Sequence, residues 1–264
     1  MTPTTTMTRK MTTTTPTTLK DGEVLNDLLG FKGMKIIQRP DMFNVSLDST
    51  LLAAFTHVPK RVSRIVDFGT GFAPIPLMLS RRTTKPIIGV EIQPEVADMA
   101  RRSIQVNELS EQIVIIEDDI ASLSDHLKPD SIELITANPP FFRLTDLANT
   151  NRTTYKTIAR HEVTITFDTM VKTAAALLKD KGLFVFVHRP DRMASIIATL
   201  QAHRLTIKRM RVVHAKANRR AQMVLIEAMK GGRDGLLIEP PLIVHRDEGG
   251  YTTAIENIFR DERT

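Results

Sequence analysis

The sequence predicts an α/β fold: a doubly wound, seven-stranded, mainly parallel sheet with an antiparallel edge strand. Three observations lead there. From residue 63 onward, short apolar runs alternate with longer amphipathic stretches, the pattern of right-handed βαβ units. The first run passes directly into a glycine turn, Gly69-Thr70-Gly71, ahead of a helix. The last two runs are joined by a basic loop without a helix, which predicts antiparallel pairing at one rim of the sheet.

The elements follow in order. Residues 1–18 are rich in threonine and read as a disordered tail, because they bury too little apolar surface to offset ordering entropy. Residues 31–40 read as a short strand or hairpin. Residues 48–55 read as a helix with Leu51, Leu52 and Phe55 on one face. Strands are predicted over 63–68, 87–91, 113–117 and 132–137, with helices over 75–82 and 94–107. Pro74 and Pro94 stand at the two helix starts, where proline is tolerated. A helix over 167–178, ending at Gly182, precedes a strand over 183–187. A helix over 193–203 and strands over 207–213 and 223–228 complete the pattern. The polar span 142–166 fits no element, and loops of that length are usually functional or disordered. Residues 19–264 are expected to form one domain, with 19–60 an extension packed near the site.

Composition narrows the chemistry. The chain of 264 residues is 42% hydrophobic and 25% charged, as ordinary globular proteins are. It contains no cysteine, which excludes disulfides, thiolate zinc sites, iron–sulfur clusters and a cysteine nucleophile. No apolar run reaches the roughly 18 residues of a membrane helix. The start lacks the apolar core of a secretory signal. These features predict a soluble, cytoplasmic protein that does not enter a membrane; a monomer without a metal is expected, although no sequence feature reads out the oligomeric state.

Charge is unevenly spread. Residues 188–220 carry nine Lys and Arg against one acid, Asp191, in a chain whose net charge is +6. A basic zone on a near-neutral body is the footprint of a polyanion binder.

The glycine turn lies in Asp67-Phe68-Gly69-Thr70-Gly71-Phe72-Ala73-Pro74. Two glycines let the backbone turn sharply and lie against a ligand. A dinucleotide site wants a third glycine where Pro74 stands, so NAD is disfavoured. Asp67 would repel a pyrophosphate but suits the positive end of an amino-acid-bearing ligand. Glu91 ends the second strand, where an acid takes a ribose diol. Asp118 and Asp119 end the third; Asp119, beside the apolar Ile120, is the better acceptor for an adenine amine. Together these strand ends describe a pocket for S-adenosylmethionine.

The fourth strand ends in Asn138-Pro139-Pro140-Phe141. Two prolines stiffen the turn and remove amide donors. A planar NH2 group then finds two acceptors, the Asn138 amide oxygen and the Pro139 carbonyl. Accepting both protons draws the nitrogen lone pair out of ring conjugation, while Phe141 stacks on the base. Catalysis needs orientation and electrostatics more than a strong base.

These features resemble class I S-adenosylmethionine-dependent methyltransferases, which are Rossmann-like. Further stretches resemble the tRNA1(Val) (adenine-37-N6)-methyltransferase family: Arg39-Pro40-Asp41-Met42-Phe43 with Ser46-Leu47-Asp48, Ala159-Arg160-His161-Glu162, His188-Arg189-Pro190-Asp191-Arg192 and Pro240-Pro241-Leu242-Ile243-Val244. The resemblance spans roughly residues 19–260. It implies methylation of N6 of an adenine in the anticodon loop, where the base is already single-stranded or easily splayed. Asn138 would serve both cofactor and substrate, with Pro140 against the base. Arg209, Arg211, Lys216, Arg219 and Arg220 are then expected at RNA phosphates. The span 142–166, with Arg143, Arg152, Tyr155, Lys156 and Arg160, could close over the base. His161 and Glu162 fit a structural pairing better than an acid–base role.

Other uses of the same motif are methylation of ribosomal RNA, DNA adenine or protein glutamine. A glutamine enzyme is expected to carry an extra N-terminal helical module, and a DNA enzyme a target-recognition domain. A catalytically idle RNA-binding module is the remaining reading; the intact Asp67, Glu91 and Asn138 argue against it.

Overall fold

The computed structural model describes residues 18–29, 31, 33–42, 46–139 and 166–260. The threonine-rich start, Pro140, Phe141 and the polar span from 142 to 165, with His161 and Glu162, lie outside the described residues.

The chain opens with an antiparallel pair, β1 (Val24–Asp27) and β2 (Lys35–Gln38), followed by α1 (Leu47–Phe55). The winding begins with β3 (Ile65–Phe68), α2 (Pro74–Ser80), β4 (Ile87–Glu91) and α3 (Pro94–Val106). It continues through β5 (Ile113–Glu117), a short 3-10 turn (Ile120–Asp125) and β6 (Ile132–Ala137). Next come α4 (Phe167–Leu177), β7 (Leu178–His188), α5 (Met193–Ala202), β8 (Leu205–His214) and β9 (Ala221–Lys230). Two two-residue strands, β10 (Leu237–Ile238) and β11 (Leu242–Ile243), and α6 (Thr253–Phe259) finish it.

The order across the sheet is β5-β4-β3-β6-β7-β9-β8, with β10 and β11 both pairing to β8. Strands β3 to β7 are parallel to one another, and β9 runs against both β7 and β8. The doubly wound class and its seven principal strands are as expected. The antiparallel strand is not at the rim: β9 is inserted between β7 and β8. The β8–β9 hairpin folds back inward, and β10 and β11 lengthen the rim beyond the seven predicted strands.

Both faces of the sheet are covered, which is why its strands read as apolar runs without clean alternation. Along β3, Ile65 joins a core cluster with α1, α2 and α3, while Val66 and Phe68 join another with α4 and α5. Strand β7 does the same, with Val185 and Val187 on one side and the stacked Phe184 and Phe186 on the other. In such folds the carboxyl ends of the parallel strands form the ligand edge. Asp67, Glu91 and Asn138 all lie there.

Candidate active site

The glycine turn is built from left-handed residues. Gly69 and Gly71 have φ of +62° and +58°, and Ala73, just before α2, has +68°. Glycine adopts this region freely, whereas alanine there is strained by roughly 1 kcal/mol. Open space lies where a Gly69 side chain would begin, so the turn leaves room for a ligand. Thr70 ties the turn down, its N–H donating to the Val90 carbonyl at 2.8 Å. Its side chain packs over Gly89, whose Cβ would lie 2.9 Å from the Thr70 methyl. An isolated glycine within a strand signals such a close approach, and Gly89 was legible in that sense.

Asp67 departs from expectation. It is wholly buried, and each carboxylate oxygen accepts from a hydroxyl, Thr136 Oγ1 at 2.6 Å and Thr70 Oγ1 at 2.7 Å. It therefore braces the glycine turn against β6 and does not present an oxygen to a ligand's ammonium group. Burial pushes its carboxyl up to about 7; the two hydroxyls oppose this and the Glu91 charge adds to it.

That shift sets a pH dependence. The folded chain holds the Asp67 proton more tightly than the unfolded chain does. The resulting stabilisation is complete below the ordinary value of 3.8 and is lost as pH rises through about 7. Asp67→Asn removes the titration while keeping the shape. The thermal midpoint of the variant, taken relative to the parent, should rise between about pH 4 and 7 and then level off. Midpoints that run in parallel across that window would count against the buried acid.

Glu91 is 5% exposed and grips two backbone amides, Gly71 N–H at 2.9 Å and Gln93 N–H at 3.0 Å. Burial raises its pKa as well. Each oxygen keeps a further lone pair for a diol. Among the described residues no ion pair joins a lysine or arginine to Asp67 or Glu91, and burial favours the neutral form of both acids.

Asp118 is committed elsewhere, to His126 Nε2 at 2.6 Å and to the Asp119 N–H at 2.7 Å. Its carboxyl is held below the usual range, His126 first. Asp119 spends only Oδ1, capping the 3-10 turn through Ala121 N–H at 2.9 Å. The structure thus favours Asp119 over its neighbour as a ligand acceptor. Ile120 is buried in the adjoining core, while Ile92, beside Glu91, is an apolar side chain left 38% exposed.

Asn138 follows the last residue of β6 and is half-buried; Pro139 is buried. The Asn138 Nδ2 donates to Ser49 Oγ of α1 at 3.0 Å. In the β6–β7 ladder Ala137 pairs with Phe186, which places His188 level with the Asn-Pro turn. Burial lowers the His188 pKa, and its Nδ1 accepts the Arg189 N–H at 2.8 Å.

The five arginines and lysines expected at phosphates divide. Arg209 is a correction: its guanidinium bonds Glu227 and Glu239, each at 2.8 Å, and donates to the Phe55 carbonyl at 2.6 Å. It also lies 3.8 Å over the Phe55 ring. It fastens α1 to the sheet and has no free face for a phosphate. Arg211 is turned towards the Pro240 carbonyl, its Nε donating at 3.0 Å. Lys216 donates to the Asp247 carbonyl at 3.0 Å, from the turn between β8 and β9. Arg219 and Arg220 are exposed, and with Lys216, Asn218 and His245 they line a hollow of about 730 Å³. Because β8 ends and β9 begins there, this hairpin stands on the same sheet edge as Asn138.

Sequence reasoning missed Ser49, Thr70 and Thr136. Each is a small hydroxyl residue whose partner is set by the tertiary fold.

Comparison with known proteins adds the following. Residues 33–212 match the family model described as methyltransferase small domain. A Porphyromonas gingivalis protein named tRNA1(Val) (adenine(37)-N6)-methyltransferase is 29% identical over 234 residues, covering 86% of this chain and 91% of that one. A Photobacterium profundum protein of the same name is 25% identical, covering 82% and 90%. Among solved structures, a predicted O-methyltransferase from Agrobacterium tumefaciens superposes with a TM-score of 0.66 at 22% identity, covering 83% of this chain and 98% of that one. No described helix is long and apolar enough to cross a membrane.

Proposed function

The chain belongs to the methyltransferase small domain family, and from that premise we propose that it methylates N6 of an adenine in RNA, at position 37 of a tRNA anticodon loop. The enzyme is an S-adenosylmethionine-dependent methyltransferase. The substrate reading draws on the relatives named for that activity. The observation that carries it within the chain is the Asn138 amide, positioned on the sheet edge beside the glycine turn.

When bound, S-adenosylmethionine supplies a methyl group activated on a positively charged sulfur. The residues present fit it: room at Gly69, lone pairs on Glu91 for a ribose, and the free oxygen of Asp119 with the Ile120 wall for an adenine. Asp67 and Gly71 shape the turn that receives it. On the substrate side, the Asn138 Oδ1 and the Pro139 carbonyl each accept one N–H of the adenine amine. The nitrogen lone pair is thereby freed from the ring and directed at the methyl. As the new N–C bond forms, the S–CH3 bond would break with its electron pair passing to sulfur, giving neutral S-adenosylhomocysteine. The cationic nitrogen then sheds its proton readily to water, so no strong base is required. Pro140 and Phe141 complete the base contact, Phe141 by stacking.

Arg219 and Arg220, with Lys216 and the neighbouring Arg211, serve as phosphate contacts. Strands β7 and β9 separate β6 from β8, so the basic hairpin lies about 14 Å along the edge from Asn138, at about 4.8 Å per strand. The protein acts as a cytoplasmic monomer.

Incubation with labelled S-adenosylmethionine and unmodified tRNA should yield N6-methyladenosine on nucleoside analysis. Label on guanine or on protein would overturn the reading. Replacing Arg219 and Arg220 by alanine should weaken tRNA binding at every sequence and lower the salt slope by about 1 per residue.

A further inference from the structure

We propose that Ser49 is a positioning residue for the transfer, its hydroxyl anchoring the Asn138 amide at the sheet edge with Nδ2 on the helix and Oδ1 towards the adenine. The inference rests on the reading of Asn138 as acceptor for the N6 amine.

A carboxamide is nearly symmetrical in shape but not in function. With Oδ1 towards the base, it accepts a proton of the adenine amine. Turned over, it sets N–H against N–H, and the contact repels. The backbone of β6 places the amide at the carboxyl edge but does not choose between these orientations.

Ser49 anchors the group in one of them. It is 6% exposed on the first turn of α1, and the Asn138 Nδ2 donates to its Oγ at 3.0 Å. With Nδ2 committed to the helix, Oδ1 is the atom left for the base. Water cannot readily replace the partner, because the serine is buried.

Helix α1 is itself held in place. Its last residue, Phe55, is gripped by Arg209 through both ring and carbonyl. The segment ahead of the winding therefore supplies more than cover for the cofactor. It carries a side chain, 89 residues before Asn138, that holds the acceptor in place.

The test uses the full chain, unmodified tRNA, and the variants Ser49→Ala and Ser49→Thr. A neutral hydrogen bond of this kind corresponds to about tenfold in rate. Ser49→Ala should lose about that factor in kcat, with the calorimetric Kd for S-adenosylmethionine unchanged and the melting temperature lowered by no more than about 2–4 °C. Ser49→Thr, which keeps the hydroxyl, should recover most of the loss. In an Asn138→Ala background, Ser49→Ala should cost nothing further, because the amide it orients is gone.

A Ser49→Ala enzyme with parental kcat overturns the inference. So does a loss that adds in full to that of Asn138→Ala, or one that tracks lost cofactor affinity. Absence of any methyl transfer to RNA by the parent protein would instead overturn the proposed function beneath it.

Discussion

Asn138→Ala should lower turnover by about two to three orders of magnitude while the affinity for S-adenosylmethionine stays within about threefold. The amide oxygen is the side-chain acceptor at the Asn-Pro turn, and the bond from Nδ2 to Ser49 Oγ holds the group ready before substrate arrives. Removing it leaves the adenine amine conjugated with its ring, with one acceptor, the Pro139 carbonyl. The proposed cofactor contacts come chiefly from other strand ends, at Gly69, Glu91 and Asp119, and are untouched by the change. Single-turnover rates with saturating tRNA, together with calorimetric titration of the cofactor, separate the two effects. Turnover comparable to the parent would sink the mechanism. Equal losses of turnover and cofactor affinity would move Asn138 from substrate to cofactor.

The second large effect is on stability. Arg209→Ala should destabilise the fold by about 3–5 kcal/mol, the usual result of removing one partner from a buried ionic cluster. Glu227 and Glu239 would be left facing each other with side chains only 13% and 23% exposed. The Phe55 carbonyl would lose its donor and the Phe55 ring its cation. Against a total stability of about 5–15 kcal/mol, this is a large fraction. Arg209→Lys should restore only part, because an ammonium cannot span two carboxylates and a carbonyl while lying flat on a ring. Denaturant midpoints with an unchanged slope give the measurement. A cost under about 1 kcal/mol, with weakened tRNA binding, would return Arg209 to the phosphate contacts expected from charge alone.

These two residues show what is legible in one dimension. Asn138 could be found because its meaning depends on local order: it follows an apolar run and precedes two prolines. Glu91 could be found because it ends the next strand after a glycine turn, twenty residues beyond Gly71. Arg209 looked like an RNA contact because it sits in a basic run. Its carboxylate partners lie on β9 and just after β10, and Phe55 lies 154 residues away. The start of β7 was also hidden. Residues 178–182 include Lys179, Asp180 and Lys181 and read as the close of the preceding helix, yet they belong to the strand through a register shift against β6. Strands β10 and β11 are too short to show a period.

The sequence by itself determined the class of fold, the glycine turn, the strand-end acids and the Asn-Pro motif, because each is written in the order and spacing of neighbouring residues. Only the tertiary structure decided that Asp67 braces the turn from full burial, that β9 is inserted inside β8, that Arg209 anchors a helix, and that Ser49 meets Asn138. Those outcomes depend on which distant groups share a desolvated space, where an unpaired polar atom is costly and a partner must be found. No local pattern carries that information.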